Sequence, residues 1–189
     1  HTELDLSATF SAMTGGNIYL KYENSQKTGS FKIRGASNKI AALVERGETG
    51  AVVASSAGNH AQGVAYAAHR FGIPATIVMP KTAPIAKAKA TEGYGATVVL
   101  AGDCYDDAYA KACEICEQEH ATFLHPYNGP EVIAGQGTLG LEILGDLPTA
   151  DIVIVPAGGG GLLAGMAACI KQINPRVQVI GVQAEGADA

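Results

Sequence analysis

The sequence predicts an α/β protein built from parallel sheets in two lobes. Short apolar runs rich in β-branched residues alternate with longer stretches whose small and apolar residues recur at helical spacing. Strands that alternate with helices form parallel sheets covered on both faces, with right-handed crossovers. Glycine makes up 24 of the 189 residues, and many glycines follow apolar runs, where turns that approach a ligand occur.

The elements follow in order from these patterns. The predicted strands are the apolar runs at residues 17–23, 51–55, 75–80, 96–100, 151–156 and 177–183. The predicted helices lie at residues 59–72, 84–95, 106–120 and 131–147, with one more starting at a Ser30 cap and one after the last glycine run. We expect residues 51–128 to form a small lobe, and residues 1–50 with 129–189 to form a large lobe across a cleft.

Composition excludes several classes of function. The net charge is −5 and no basic cluster is present, which argues against nucleic acid and anionic membranes as partners. No apolar run approaches the roughly 20 residues of a membrane span, and no signal peptide is visible. The four cysteines suggest no disulfide framework, so a reduced cytoplasmic protein is expected. Cys113, Cys116 and His120 share a helix face, which packing explains more simply than zinc.

The strongest local feature is a glycine run that follows a predicted strand. Gly158, Gly159, Gly160 and Gly161 come directly after the strand that ends at Pro156, and a helix of small residues follows. Backbone without side chains can fold around an anion, and the free N–H groups at the helix start favour negative charge. The run therefore predicts a phosphate site, although a tight strand-to-helix turn would also use glycine.

A dinucleotide site is the rival interpretation of this run. Gly159, Gly161 and Ala164 satisfy G-x-G-x-x-A, and Glu185 comes at the end of the next predicted strand. The motif lies late in the chain, however, and it leaves the lysine motif described below unexplained.

A second loop, Ser55–His60, stands where another helix begins. Serine and asparagine cap helices, so a purely structural role is open. The same residues also offer clustered backbone donors and a hydroxyl group, which suit a carboxylate.

Lys32 lies in the stretch "KTGSFKIRGA", between bulky Phe31 and Ile33. The positive end of the helix dipole and burial beside Phe31 both favour the neutral amine. A neutral amine can attack a carbonyl and form a Schiff base. The alternative interpretation is a solvated lysine on a helix, as most helical lysines are. Arg34 is interpreted as a structural residue.

A lysine amine, a phosphate cup and a carboxylate loop together indicate pyridoxal phosphate acting on an amino acid. The segments "KYENSQKTGSFKIRGA", "SSAGNHAQGVAYAA", "VIAGQGTLGLEIL" and "IVPAGGGGLLAG" resemble fold-type II pyridoxal-phosphate enzymes, whose architecture is of the tryptophan-synthase-β type. The likeness is greatest to threonine dehydratases (threonine ammonia-lyases) and next to serine racemases. It implies dehydration and deamination of L-threonine, and of L-serine, to 2-oxobutyrate or pyruvate and ammonia.

The resemblance also implies residue roles. Lys32 is similar to the lysine that forms the Schiff base and acts as catalytic base. The implied cofactor contacts are Phe31, Lys32, Asn59, Gly158, Gly159, Gly160, Gly161 and Leu162. The implied substrate-carboxylate contacts are Ser56, Ala57, Gly58, Asn59 and His60. Serine racemases carry a second serine where this chain has Ala57, and alanine has no proton to exchange, so elimination is favoured over racemisation.

Further expectations come from the resemblance alone. Glu185 and Ala189 match positions that bind a divalent cation, magnesium or calcium, in some members. The family's catalytic domains extend beyond residue 189, so the chain is expected to be truncated, with the C-terminal part of the large lobe missing together with the residue that faces the pyridine nitrogen. A homodimer or homotetramer is expected for the full-length form.

Overall fold

The computed structural model describes residues 1–186, and it begins with a small antiparallel unit. Strand β1 (Leu4–Leu6) pairs antiparallel with β2 (Tyr19–Lys21), and helix α1 (Ala8–Thr14) connects them. The sequence predicted β2 within residues 17–23 but neither β1 nor α1. This unit is an exception to the expected parallel pairing.

The middle of the chain forms a four-stranded sheet with the order β5-β4-β3-β6, in which every pair is parallel. The strands are β3 (Val52–Ser55), β4 (Ala75–Met79), β5 (Thr97–Leu100) and β6 (Thr122–Phe123). The helices that precede or connect them are α2 (Lys32–Glu45), α3 (Asn59–Phe71), α4 (Ile85–Gly93) and α5 (Tyr105–Glu119). The predicted α/β class with parallel sheets is confirmed here.

Alternation along β3 places its side chains on both faces of this sheet. Val52 and Ala54 pack with residues of α2 and α3, whereas Val53 packs with Ala108 and Ala112 of α5. Successive strand residues point to opposite faces, so one strand serves two apolar clusters. Both faces are therefore covered, as the alternation of strands with helices predicted.

The last part of the chain forms a second parallel pair. Strand β7 (Ile152–Pro156) pairs with β8 (Gln178–Val182), and helices α6 (Pro130–Asp146) and α7 (Gly161–Ile173) pack beside it. No helix in residues 1–186 is both long and apolar enough to cross a membrane.

Helix α2 packs against both parts of the molecule. Ala36, Ile40 and Leu43 belong to the apolar cluster of the four-stranded sheet, whereas Phe31 packs against the cluster of α6, α7 and the β7–β8 pair. The predicted lobe boundary at residue 50 places α2 in the large lobe, and that division stays a prediction.

The strand order locates a crevice. From β3 the chain runs outward through β4 and β5 and then returns to add β6 on the other side of β3. In open parallel sheets, ligands bind beyond the carboxyl ends of strands at such a reversal. The loops that follow β3 and β6, which are Ser56–Gly58 and Leu124–Gly129, therefore flank the expected site.

Candidate active site

Helix α2 begins at Lys32 and so fixes the position of its amine. The residue that precedes the helix as its N-cap is Phe31, and Ser30 Oγ accepts a long 3.4 Å hydrogen bond from the Lys32 N–H. The prediction of Ser30 as the cap is therefore wrong by one residue. The Lys32 amine lies 5.4 Å from the centre of the Phe31 ring and donates a 2.6 Å hydrogen bond to the Pro126 carbonyl.

The environment of Lys32 shifts its protonation equilibrium towards the neutral amine. The side chain is half-buried, and burial lowers its pKa, because removing water penalises the charged amine. The start of a helix acts in the same direction. A lysine with these properties can serve as a nucleophile towards an aldehyde and as a base.

The loop after β3 offers polar groups close to this lysine. Ser55 Oγ is buried, and among residues 1–186 it has no hydrogen-bond partner. Ser56 Oγ accepts a 3.2 Å hydrogen bond from the Gly58 N–H, which shapes the turn into α3. Asn59 begins the helix, and it is exposed. The loop thus presents the Asn59 amide on an accessible rim.

His60 is held in the interior as a neutral ring. Its Nε2 lies 2.9 Å from the Leu124 carbonyl oxygen, which can only accept, so Nε2 carries the proton. Burial lowers its pKa to about 4, and the charge of nearby Lys32 contributes to the lowering. His60 is therefore suited to positioning the loop rather than to exchanging protons near neutral pH.

Close backbone contacts hold the first turn of α2 in place. A Cβ built on Gly63 of α3 would lie 3.2 Å from the Lys32 carbonyl oxygen, and one built on Gly135 of α6 would lie 2.6 Å from the Arg34 carbonyl oxygen. Glycine at these positions lets α3 and α6 approach α2 from two sides. The lysine segment and the Ser55–His60 loop are thereby brought together.

The glycine run adopts a shape that only glycine permits. Gly160 caps α7 with a φ of 81°, in the left-handed region. A Cβ on Gly159 would lie 2.5 Å from the ring of Tyr127, and one on Gly161 would overlap the Tyr127 carbonyl oxygen. A Cβ on Gly158, in contrast, would meet no atom of residues 1–186 within 4 Å. The turn itself therefore explains three of the four glycines, but not Gly158.

A cavity of about 470 Å³ opens beside this run. Its lining includes Tyr127, Gly158, Gly159 and Gly160, and it lies at the start of α7, where the first N–H groups of a helix have no intrahelical partners. Exposed N–H groups and the positive helix end suit a phosphate group.

Two consecutive residues connect Lys32 with the glycine run. The Lys32 amine bonds to the carbonyl of Pro126, and the next residue, Tyr127, contacts Gly159 and Gly161. Phe31 packs against the same apolar cluster as Leu162 of α7. The structure thus brings the lysine, the loop after β3 and the glycine run together, and these residues fit an aldehyde cofactor that carries a phosphate.

Comparison with known proteins identifies the family. The family model described as "Pyridoxal-phosphate dependent enzyme" matches residues 1–189. The chain belongs to this family. It is 60% identical over 184 residues to the L-threonine ammonia-lyase of Thermotoga maritima, covering 97% of this chain and 46% of that protein.

Solved structures of pyridoxal-phosphate enzymes share the fold. The processed threonine deaminase isoform 2 of Solanum lycopersicum superposes with a TM-score of 0.93 at 44% identity, over 98% of this chain and 51% of that one. Maize serine racemase gives 0.91 at 40%, over 95% and 55%. The chain thus spans about half the length of these relatives. Membership of the pyridoxal-phosphate family gives no support to the dinucleotide interpretation.

Arg34 is placed by a network of ion pairs rather than in the site. Its guanidinium bonds Glu23 at 2.8 Å and both oxygens of Glu142, and Lys21 bonds Glu142 at 2.8 Å. Burial raises the pKa of Glu142, because it penalises the charged carboxylate. The hydrogen bonds from Arg34 and Lys21 lower that pKa by more, so it falls to about 2. The sequence-based interpretation of Arg34 as a structural residue agrees with this arrangement.

The metal expectation finds no support in the described part of the chain. Within residues 1–186, no group of three His, Cys, Asp or Glu side chains could hold an ion. Glu185 is exposed, and Ala189 lies outside the described residues. Cys113 and Cys116 are free, half-buried thiols.

Sequence reasoning missed the segment Leu124–Gly129, which touches all three predicted parts of the site. The strand before it, β6, has only two residues, too few for a periodic pattern. One signal was available, because "TFL" follows the end of α5, where an alternating α/β pattern demands another parallel strand. The strand order then places its carboxyl end beside that of β3.

Proposed function

We propose that this chain contributes the cofactor- and substrate-binding residues of a pyridoxal-phosphate-dependent ammonia-lyase that acts on L-threonine and, second, on L-serine. The observation that carries the proposal is Lys32, a half-buried amine with a lowered pKa between a polar loop and a phosphate-suited glycine run. The 60% identity of the chain to a protein named L-threonine ammonia-lyase supports the choice of substrate.

The proposed cofactor contacts are those that the family resemblance implies, and the positions of Lys32 and the glycine run support them. The Lys32 amine would hold the aldehyde end, Phe31 would pack near the ring, and Asn59 would bond a ring substituent. The N–H groups of Gly158–Gly161 and Leu162 would hold the phosphate. When bound, the cofactor supplies an electron-withdrawing ring that takes up the charge left on the substrate Cα.

The remaining steps are assigned to groups of the chain. Ser56, Ala57, Gly58, Asn59 and His60 form the loop proposed to hold the substrate carboxylate, with the buried His60 bracing it from behind. Lys32 accepts the proton from Cα as general base, a role that the lowered pKa of its amine assists. The Cα proton and the β-hydroxyl leave together as water, the released enamine takes up a proton at carbon to become an imine, and water cleaves its C=N bond to give ammonia and 2-oxobutyrate from threonine, or pyruvate from serine.

Ala57 supports elimination over racemisation. Racemisation needs a second proton carrier on the opposite face of the cofactor, and alanine offers none. The likeness to maize serine racemase is 40% in identity, so racemisation is the alternative to exclude. Feeding L-serine and measuring D-serine against pyruvate separates the two, and we expect pyruvate to dominate.

The lobe division, 1–50 with 129–189 against 51–128, belongs to the same proposal. It is supported by the separate apolar clusters around the four-stranded sheet and around β7–β8, with α2 lying against both. The homo-oligomer and the cytoplasmic location are expectations that rest on the family resemblance.

The decisive experiment maps the lysine. The protein is incubated with pyridoxal phosphate, the visible absorption band is recorded, and borohydride reduction is followed by peptide mapping. We expect the pyridoxyl group on Lys32, and we expect Lys32→Ala to lower 2-oxobutyrate release by at least about 10³-fold.

Lys39→Ala is the matched control. Lys39 lies about two turns further along the same helix, where it pairs with Glu131 at 3.2 Å. Its replacement should preserve the absorption band and most of the activity. A reduced pyridoxyl group on a lysine other than Lys32 would overturn the assignment.

A further inference from the structure

The segment Leu124–Gly129 connects three parts of the site that lie far apart in sequence. The Leu124 carbonyl accepts the hydrogen bond of His60, and the Pro126 carbonyl accepts that of the Lys32 amine. Tyr127, the next residue, packs on the glycine run. One short segment therefore contacts the loop, the lysine and the glycine run.

Tyr127 and the glycine run fit each other closely. The Tyr127 ring covers Gly159 so tightly that a Cβ there would lie 2.5 Å from ring carbons, and the Tyr127 carbonyl occupies the space of a Cβ on Gly161. The same side chain lines the cavity beside Gly158, Gly159 and Gly160. The path of the glycine backbone thus follows the surface of this residue.

A row of rings fixes the orientation of Tyr127. The ring of His125 stands perpendicular to that of Tyr127 at 4.5 Å, and Phe123 and Tyr109 continue the row at 6.3 and 5.4 Å. His125 Nδ1 also accepts a 3.0 Å hydrogen bond from the Asn128 N–H, which closes the turn around Tyr127. The row is anchored on β6 and α5, so the four-stranded sheet determines where Tyr127 lies.

We propose that Tyr127 is a positioning residue, whose ring preforms the glycine run for the phosphate of the cofactor. A glycine backbone loses more conformational freedom on ordering than any other residue, so a run of four costs more to order when a ligand must do it. The Tyr127 ring restricts the run beforehand, and preorganisation of this kind raises affinity. The proposal rests on the proposed function for the identity of the ligand, and it assigns the effect to the ring and not to the hydroxyl.

The test compares ligands with and without the phosphate group. Affinities for pyridoxal phosphate, for pyridoxal and for inorganic phosphate are measured on the wild-type protein and on Tyr127→Ala, Tyr127→Leu and Tyr127→Phe in the full polypeptide. We expect Tyr127→Ala and Tyr127→Leu to lose about tenfold in affinity for pyridoxal phosphate and for phosphate, but under about twofold for pyridoxal. Tyr127→Phe should behave as wild type.

Controls separate positioning from general loss of folding. Tyr66→Ala removes a ring that pairs with Tyr94 instead, so the phosphate affinity should be unchanged. Tyr127→Leu preserves apolar bulk if the alanine variant does not fold. An equal loss for pyridoxal and pyridoxal phosphate, or no loss for either, would overturn the proposal. If the wild type binds phosphate but links no pyridoxal phosphate at Lys32, the proposed function fails while the phosphate affinities still decide the role of Tyr127.

Discussion

The four-stranded sheet and the β7–β8 pair are built from similar sequences but differ in how they are covered. Strands β3 and β7 read VVAS and IVIVP, and both are rich in β-branched residues. In β3 every residue is buried, whereas in β7 Ile152 and Ile154 are 53% and 66% exposed. Ile180 and Val182 of β8 continue the exposed face of the pair.

The difference shows which parts of the site each region can support by itself. The four-stranded sheet fixes its loops from both faces, and it orients His60, the Leu124–Gly129 segment and, through α2, Lys32. The β7–β8 pair is packed on one face within residues 1–186, so its glycine run is positioned partly by Tyr127 from the other region. Four predictions test this contrast, in order of decreasing effect on the free energy of unfolding.

The first prediction compares two isoleucines, one from each sheet. Ile77 of β4 is fully buried, so Ile77→Ala should lower the free energy of unfolding by about 4 kcal/mol through lost burial and a cavity. Ile154→Ala on β7 should change it by less than about 0.5 kcal/mol, because the side chain is largely exposed. Urea unfolding of both variants measures the difference. A large cost at Ile154 would show that another polypeptide surface covers this face in the protein.

The second prediction concerns the ion pairs that tie α2 to α6. Glu142→Gln leaves Arg34 and Lys21 with one fewer carboxylate, and it should cost about 3 kcal/mol at neutral pH. The pKa of Glu142 is about 2 in the folded protein, below its unfolded value of about 4.3. Its contribution is therefore complete above about pH 4.3 and is lost as the pH falls towards 2.

Glu48→Gln is the control for the ion pairs between α2 and α6. Glu48 pairs with Arg46, and both side chains are about half exposed, so the cost should stay below about 1 kcal/mol. Equal costs at Glu142 and Glu48 would contradict the assignment of the buried network as the tie between α2 and α6. The measurement is denaturant unfolding at a series of pH values.

The third prediction uses the titration of His60. Its pKa is about 4 when folded, below about 6.5 when unfolded, so the unfolded chain binds the proton first. Stability should therefore decline as the pH falls from about 6.5 to about 4, by on the order of 2–3 kcal/mol. His60→Asn keeps an N–H donor for the Leu124 carbonyl but does not titrate, so the part of this decline that comes from His60 should disappear, and the remainder includes the contribution of His125, whose pKa burial also lowers. Thermal unfolding of both proteins across that range checks it.

Sequence reasoning found the elements with long apolar patterns and missed those without them. Strands β3, β4, β5, β7 and β8 were predicted because their β-branched runs contrast with the helices between them. Strands β6 and β1 were missed because two or three residues carry no period, and helix α1 was missed because none of its seven residues is buried, so it lacks the buried apolar face that gives a helical pattern. Lys32 could be singled out because it lies between two bulky apolar residues, and the glycine run because four consecutive glycines follow an apolar strand.

The bracing of the glycine run could not be predicted, because it depends on tertiary contact. Tyr127 lies about thirty positions before the run and is distinguished by no motif, yet its ring and carbonyl set the space at Gly159 and Gly161. The sequence alone treated the four glycines as one phosphate signal. The structure divides them into three that the turn requires and one, Gly158, that it does not.

The last prediction uses this division. The methyl group of Gly158→Ala meets no atom within 4 Å in the described part of the chain, and Gly158 has no left-handed φ, so the free energy of unfolding should change by less than about 0.5 kcal/mol. If the backbone of this residue lies against a phosphate, the added methyl group should lower the affinity for pyridoxal phosphate by about tenfold or more. Affinity is followed by the absorption of the lysine-bound cofactor.

Gly160→Ala should affect stability as well as binding. Its φ of 81° strains any residue with a Cβ, so the variant should lose about 1 kcal/mol of stability as well as affinity. A Gly158→Ala protein that is stable and binds the cofactor as the wild type does would mean that the glycine run serves only the turn. A stable protein with weakened binding would instead assign the one glycine without a structural reason to the ligand.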